Sequence, residues 1–294
     1  MMKFLVIGNI TKDTIRTREK EIVTFGGTAS YASITANKLG CDTYVLSRGN
    51  HKLDGWTRSL TSQGIKIELE PSENISHFVN DYSGTEKRQF YLSHAGKIDF
   101  KDLGKMDIIH IGPIFNEITL DCVKKARKNA KLLSLDVQGF VRSSGKERVV
   151  MKFWDERAEF LKYADLVKVN RLESKFVSKK TNYEEICEEL LGLGPKVIEL
   201  TLREMGAIIA SKETYKIPPY QTTVIDRTGS GDVFASAFAI RYFETKNALE
   251  SGLFASAAAS FVIEDFGTKN IKDKNSVLER FRELKDRYEE SNNF

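Results

Sequence analysis

Cysteine is scarce: the 294 residues include only Cys41, Cys122 and Cys187, far apart in the chain. An odd, scattered set offers neither a disulfide framework nor the close pairs of a zinc site, and it fits a reducing cytoplasm. Long apolar runs are missing as well. The longest low-charge stretch, residues 252–263, falls well short of the roughly 20 apolar residues that span a bilayer. The opening MMKFLVIGNI holds a short apolar run and no cleavage site, so no signal peptide is expected. Nor is there a basic run with interleaved aromatics. The 45 basic and 41 acidic residues are spread along the chain for a net charge of +4, which gives no reason to expect a nucleic acid partner. What is present, 41% hydrophobic and 29% charged residues, is ordinary for a soluble globular protein with no membrane partner. A chain of this length buries a sizeable core.

Along the chain, strand-like runs alternate with helical ones. Residues 3–7 read as a buried strand. Ala29, Ala32, Ala36 and Leu39 then recur at helical spacing up to a stop at Gly40. Residues 43–47, 107–111, 132–136, 166–169 and 197–202 are short apolar strands. Helices are expected between them at 54–63, 121–130, 155–163 and 183–191, and then at 229–243, 248–263 and 276–290. This rhythm of continuously apolar strands and covering helices predicts a three-layer α/β/α fold with a mainly parallel central sheet. Two polar, two-sided stretches break it, at 14–25 and 77–95. They are expected either as plain surface hairpins or as a small β-lid, spanning about 12–25 and 75–96, inserted in a single domain over the strand ends.

The most informative stretch is Asp226-Arg-Thr-Gly-Ser-Gly-Asp232, followed by Val-Phe-Ala-Ser-Ala-Phe. Phe234, Ala237, Phe238 and Arg241 follow a helical period, which places Gly229, Ser230 and Gly231 at a helix N-terminus. Unpaired N–H groups and a positive dipole end welcome an anion there, and small residues let a phosphate close to the backbone. Asp232 reads equally as a helix cap or as a catalytic base on this motif alone. Other glycine loops are excluded by inspection. No G-x-x-x-x-G-K-[ST] occurs, no G-x-G-x-x-G follows the first strand, and there is neither G-x-S-x-G nor H-E-x-x-H.

DRTGSGD ahead of a small-residue helix resembles the C-terminal signature of the ribokinase-like (phosphofructokinase-B) carbohydrate kinases, usually D-T-x-G-A-G-D. Gly26-Gly27, opening a helix that ends Leu39-Gly40, resembles the family's N-terminal signature. The interval between the two fits, so the resemblance covers essentially the whole chain. It implies an ATP-dependent phosphotransferase. In it Asp232 takes the proton of the attacking hydroxyl, and Gly229, Ser230 and Gly231 form the anion hole. It further implies that Asn170 and Glu173, an N-x-x-E after a strand, organise the nucleotide phosphate, water and Mg²⁺, with Glu173 on the metal side through water. The same pair also reads as a capping box. Thr201-Leu-Arg-Glu-Met-Gly206 resembles the family's T-x-G-x-x-G nucleotide segment, with Arg203 where the first glycine is common. Thr201 and Gly206 are therefore expected at ATP.

Asp13, at the end of the first strand, is expected to accept hydrogen bonds from two neighbouring substrate hydroxyls. Gly26 and Gly27 let the substrate lie against the backbone; otherwise the three are simply a hairpin base and a turn. Tyr31 stands where ribose kinases usually have asparagine, which argues against ribose. Asp136-Val-Gln138-Gly-Phe-Val-Arg142 resembles the myo-inositol kinase branch, with Gln138 and Arg142 expected at substrate; as a plain structure it is a turn with a salt-linked arginine. Myo-inositol is thus the leading single substrate, ahead of nucleosides, ribose and hexoses. A non-catalytic sugar or nucleotide sensor on the same scaffold is the alternative from another class. The resemblance leaves open a homodimer through the lid.

Overall fold

Phe4, Leu5, Val6 and Ile7 have no polar face to show to water, and all are at most 1% exposed. Such a run ends inside a sheet covered on both sides. The computed structural model describes residues 1–84, 88–145 and 148–292 and shows how this is achieved. A nine-stranded sheet runs in the order β15-β14-β13-β12-β9-β8-β1-β4-β5. Its strands are β1 (Lys3–Ile7), β4 (Asp42–Gly49), β5 (Lys66–Pro71), β8 (Met106–Ile111), β9 (Ala130–Asp136), β12 (Leu166–Asn170), β13 (Val197–Thr201), β14 (Ala207–Ala210) and β15 (Thr214–Ile217). From β5 to β13 every neighbouring pair is parallel; β14 and β15 close the far edge as antiparallel strands.

Successive side chains point to opposite faces of a strand, so each strand feeds two cores. Phe4, Val6, Ile108, Leu132, Leu166 and Val197 meet α1 (Thr28–Lys38), α2 (Asp54–Thr61), α6 (Ser230–Thr245), α7 (Ala248–Val262) and α8 (Lys274–Asn292). Leu5, Ile7, Ile109, Leu133, Val167 and Ile198 meet α3 (Leu120–Asn129), α4 (Arg157–Leu161) and α5 (Tyr183–Leu191). The expected layers and parallel sheet are therefore present. Helix α4 is shorter than its sequence pattern, with turns taking over at both ends.

A second sheet of six strands has the order β10-β11-β7-β6-β2-β3. Its members are β2 (Thr11–Arg16), β3 (Glu21–Gly26), β6 (Ser76–Asp81), β7 (Arg88–Ser93), β10 (Arg142–Gly145) and β11 (Arg148–Met151). The two expected stretches supply β2, β3, β6 and β7, joined through a parallel β2–β6 pair. The third hairpin was not expected. Nor are the central strands two-sided and polar: Phe78 and Val79 on β6 are 2% and 4% exposed. Phe78 stacks on Tyr91, and both pack with Ile114 and Phe115 from the loop after β8, which ties this sheet to the larger one.

Candidate active site

Between the small sheet and the C-terminal ends of the central strands lies one crevice of about 1160 Å³. Helix α6 points its N-terminus into it. Gly229 precedes the helix at φ +79°, a left-handed conformation, and a Cβ there would collide with the ring of Tyr31. Only glycine satisfies both constraints. Asp226 fixes the turn by accepting from the Thr228 N–H (3.0 Å) and hydroxyl (2.8 Å). The Ser230 N–H turns back to the Arg227 carbonyl (3.3 Å), while those of Gly231 and Asp232 have no acceptor among the described residues. A helix start with two free amides is an anion cradle.

Asp232 stands in the first turn of α6, half-buried and lining the crevice. The Thr28 hydroxyl, at the start of α1, donates to its Oδ1 at 2.7 Å. Burial raises the Asp232 pKa and the nearby charge of Asp136 adds to this. Thr28, Lys168 and Arg142 oppose them, and the balance is a carboxyl pushed up to about 6. An acid with that pKa is ionised at neutral pH yet takes a proton readily.

Behind the cradle the central strands carry a polar cluster. The Lys168 ammonium lies 3.0 Å from Asp136 Oδ2 and 3.7 Å from Glu173. It also sits where a Cβ on Gly231 would come within 3.0 Å, which places a cation beside the anion cradle. Burial alone would lower the Lys168 pKa; Asp136, Glu173 and Asp232 together outweigh it and hold the group charged. One strand further, Glu199 is fully buried, both its carboxylate oxygens lack partners, and burial raises its pKa well above the ordinary value. Burial thus disfavours its charged form, and the direct ion-pair contacts of Lys168 are to Asp136 and Glu173.

Of the sequence candidates, Asp13, Gly27, Gln138, Arg142, Asn170, Thr201, Gly206, Gly229, Ser230, Gly231 and Asp232 all line this crevice. Gly26 and Glu173 are not among its lining residues. A Cβ on Gly26 would stand 2.6 Å from Asp13 Oδ2, so Gly26 makes room for that carboxylate. Glu173 is 2% exposed. Its Oε2 accepts from the Asn170 N–H at 2.8 Å, while Asn170 Oδ1 accepts from the N–H groups of Leu172 and Glu173 at 2.8 and 2.9 Å. This is the capping-box geometry, here opening a 3₁₀ turn. Arg142 is not salt-linked among the described residues; it donates to the Ile114 carbonyl at 3.2 Å. Lys168, Thr28, Asn80 and Gln89 join the lining without having been singled out. A lysine inside a buried, otherwise apolar strand was the one legible signal among them.

The profile of the pfkB family carbohydrate kinases matches residues 12–275. The chain belongs to that family. This pfkB-family kinase is 26% identical to a nucleoside kinase of Methanothermobacter thermautotrophicus over 271 residues, 87% of this chain and 84% of the relative. It is 33% identical to an ATP-dependent 6-phosphofructokinase of Thermoanaerobacterium thermosaccharolyticum over 260 residues, 79% of this chain and 78% of that one. Among solved structures it is similar to a pyrophosphate-dependent kinase of the ribokinase family complexed with a pyrophosphate analog and myo-inositol. The TM-score is 0.83 and identity 25%, covering 94% of this chain and 99% of that one. The enzyme is thus a small-molecule kinase of ribokinase-like fold. No helix among the described residues is long and apolar enough to cross a membrane.

Proposed function

We propose that this kinase transfers the terminal phosphoryl group of ATP to a hydroxyl of a cyclic polyol, with myo-inositol the first candidate. One observation carries the reading: a carboxylate of raised pKa, Asp232, shares a crevice with free amides at the same helix end and with a second carboxylate, Asp13. Asp232 accepts the proton as the acceptor oxygen bonds to phosphorus and the bond to the leaving diphosphate breaks. The amides of Gly231 and Asp232, with Lys168, face the charge on the transferring group. Thr28 holds the Asp232 carboxylate in its ionised form and in position.

On the acceptor side the lining includes Thr11, Asp13, Asn80, Gln89, Gln138 and Arg142. A wall so rich in hydrogen-bonding groups suits a ring bearing only hydroxyls. A nucleoside is the second reading, favoured by the apolar side chains of Ile15, Ile22, Val23 and Phe78 on the same wall. Toward the donor the crevice runs on to Tyr220, Val224, Ile225, Ala259 and Ile263, an apolar slot suited to a nucleobase, which supports ATP over pyrophosphate.

Magnesium is the family's expected companion. Among the described residues no cluster of three His, Cys, Asp or Glu side chains forms a metal cage. Asn170 Oδ1 and Glu173 Oε2 are committed to backbone amides, and Lys168 stands beside Glu173. These residues do not fit a Mg²⁺ held directly by protein side chains.

A panel of polyols, sugars and nucleosides in an ATP-consumption assay tests the reading, with myo-inositol expected to be best and ribose poor. Asp13→Ala should weaken acceptor affinity by about 10–100-fold and Gln138→Ala by about tenfold or less, with ATP affinity unchanged. A nucleoside or aldose as best substrate removes the inositol assignment and leaves the kinase. Full acceptor affinity in both variants removes the acceptor pocket as drawn.

A further inference from the structure

Beyond the anion cradle the crevice carries cations that phosphoryl transfer, as read above, does not use. Arg203 and Arg227 both line it, both are exposed, and among the described residues neither forms an ion pair or a side-chain hydrogen bond. Arg227 sits in the turn that opens α6, where its carbonyl accepts from the Ser230 N–H (3.3 Å) and hydroxyl (2.9 Å). Arg203 comes from another wall, in the turn between β13 and β14. The charges of both reach Glu204. That carboxyl is held below its ordinary value, first by its own backbone N–H and then by Arg227, Arg171 and Arg203. Its ion-pair partner is Arg171, at 3.9 Å. Of the charged groups lining this part of the crevice, Arg203, Arg227 and Lys269 outnumber Asp226, which leaves it positive.

The backbone of Arg203 sharpens the point. Its φ is +59°, a conformation glycine adopts freely and other residues adopt at a cost. The other non-glycine residues with positive φ among those described, Asn116 and Lys246, do not line the crevice. Three residues on, Gly206 holds φ +79°, and a Cβ there would collide with the Ile217 carbonyl. The turn has thus kept glycine where packing demands it and arginine where glycine would relax the backbone. Strain retained at a ligand-facing position points to a use for the side chain.

The far end of the crevice adds an independent observation. Its hydroxyls are already committed, Ser256 to the Pro218 carbonyl (2.8 Å) and Ser260 to the Ala257 carbonyl (2.7 Å). An apolar slot whose hydroxyl donors are engaged holds a base by contact and reads little of its edge.

We propose that Arg203, seconded by Arg227, binds the donor's polyphosphate beyond the transferred group, so that phosphate charge rather than the base sets donor affinity. The proposal rests on the kinase reading above. Two guanidiniums are suited to it because their planar forks match phosphate oxygens.

The test is calorimetric titration with a non-hydrolysable ATP analogue and, separately, with inorganic tripolyphosphate. Arg203→Gly is expected to melt at or above the wild-type temperature, because glycine relaxes the turn. It should nevertheless bind both probes about tenfold more weakly. Arg203→Lys should recover part of the loss, and the acceptor KM should not move. Arg203→Gln, which removes the charge and keeps the reach, gives the same reading should the glycine variant fail to fold. Undiminished analogue binding in a folded charge-removing variant overturns the proposal alone. So does a loss for the analogue with none for tripolyphosphate, since the contact would then be to the nucleoside. Wild-type protein that binds neither probe overturns it together with the ATP-dependent kinase reading.

Discussion

Asp232 illustrates how much one side chain depends on contacts far away in sequence. Its fixed partner, Thr28, is 204 residues away, and the charges that tune it come from β9, β10 and β12. Asp232→Asn removes the proposed proton acceptor and keeps the shape, so kcat is expected to fall roughly 10²–10⁴-fold with ATP still bound. Wild-type turnover in a clean preparation would rule out the assignment. In the wild type the acid limb of the kcat profile should lie near pH 6, the value to which burial and Asp136 push the carboxyl. Thr28→Val deletes a donor to the charged form and should move that limb upward by about one unit. An unmoved limb would show that Thr28 does not tune the base. The same shift has a stability consequence. Between about pH 4 and 6 the folded state holds a proton that the unfolded chain releases, so this group's contribution to stability falls as pH rises through that window. Asp232→Asn should therefore melt above the wild type at pH 7, with the gap narrowing toward pH 4.

At the scale of the element, the N-terminus of α6 is usable because its residues are small. Gly231 has Lys168 behind it, and its own Cβ would stand 3.0 Å from the ammonium. Gly231→Val should therefore displace the lysine and fill the cradle at once. Turnover and donor binding are both expected to suffer, on the order of 10²-fold in kcat/KM for ATP. A folded variant with unchanged KM and kcat would remove the anion-hole assignment. The helix position itself was readable from the sequence, since Phe234, Ala237, Phe238 and Arg241 carry the period and all but Arg241 are buried. The strained turn before it, with Gly229 pressed on Tyr31, was not readable, because that contact joins two distant helices.

For the whole molecule, the small sheet and the strand ends enclose the acceptor half of the crevice, with Asp13 and Asn80 on one side and Gln138 and Lys168 on the other. Acceptor binding should bridge the two sheets. Amide hydrogen exchange in β2 and β6 is then expected to slow when acceptor and ATP analogue are added, while α3 and α5 on the far face stay unchanged. Equal protection on both faces, or none in the small sheet, would show that it does not act as a lid.

The sequence by itself determined the layers and much of the cradle. Apolar strands four to six residues long and helical spacing between them are local patterns, and β1, α5 and α7 follow from them within a residue of their ends. The two glycine signatures likewise mark positions where the backbone needs room that a side chain would fill. Only the tertiary structure decided what those signatures face. The Lys168–Asp136–Glu173 cluster needs two adjacent parallel strands in register, and an isolated lysine in an apolar run announces no partner. The hairpin of β10 and β11 is short and gains its place by pairing with β7. Gly26 reads in sequence as a substrate platform, yet it clears space for Asp13 because β2 and β3 pair across that point. Periodicity is written along the chain; which carboxylate meets which cation depends on strand order, and that is settled when the cores close.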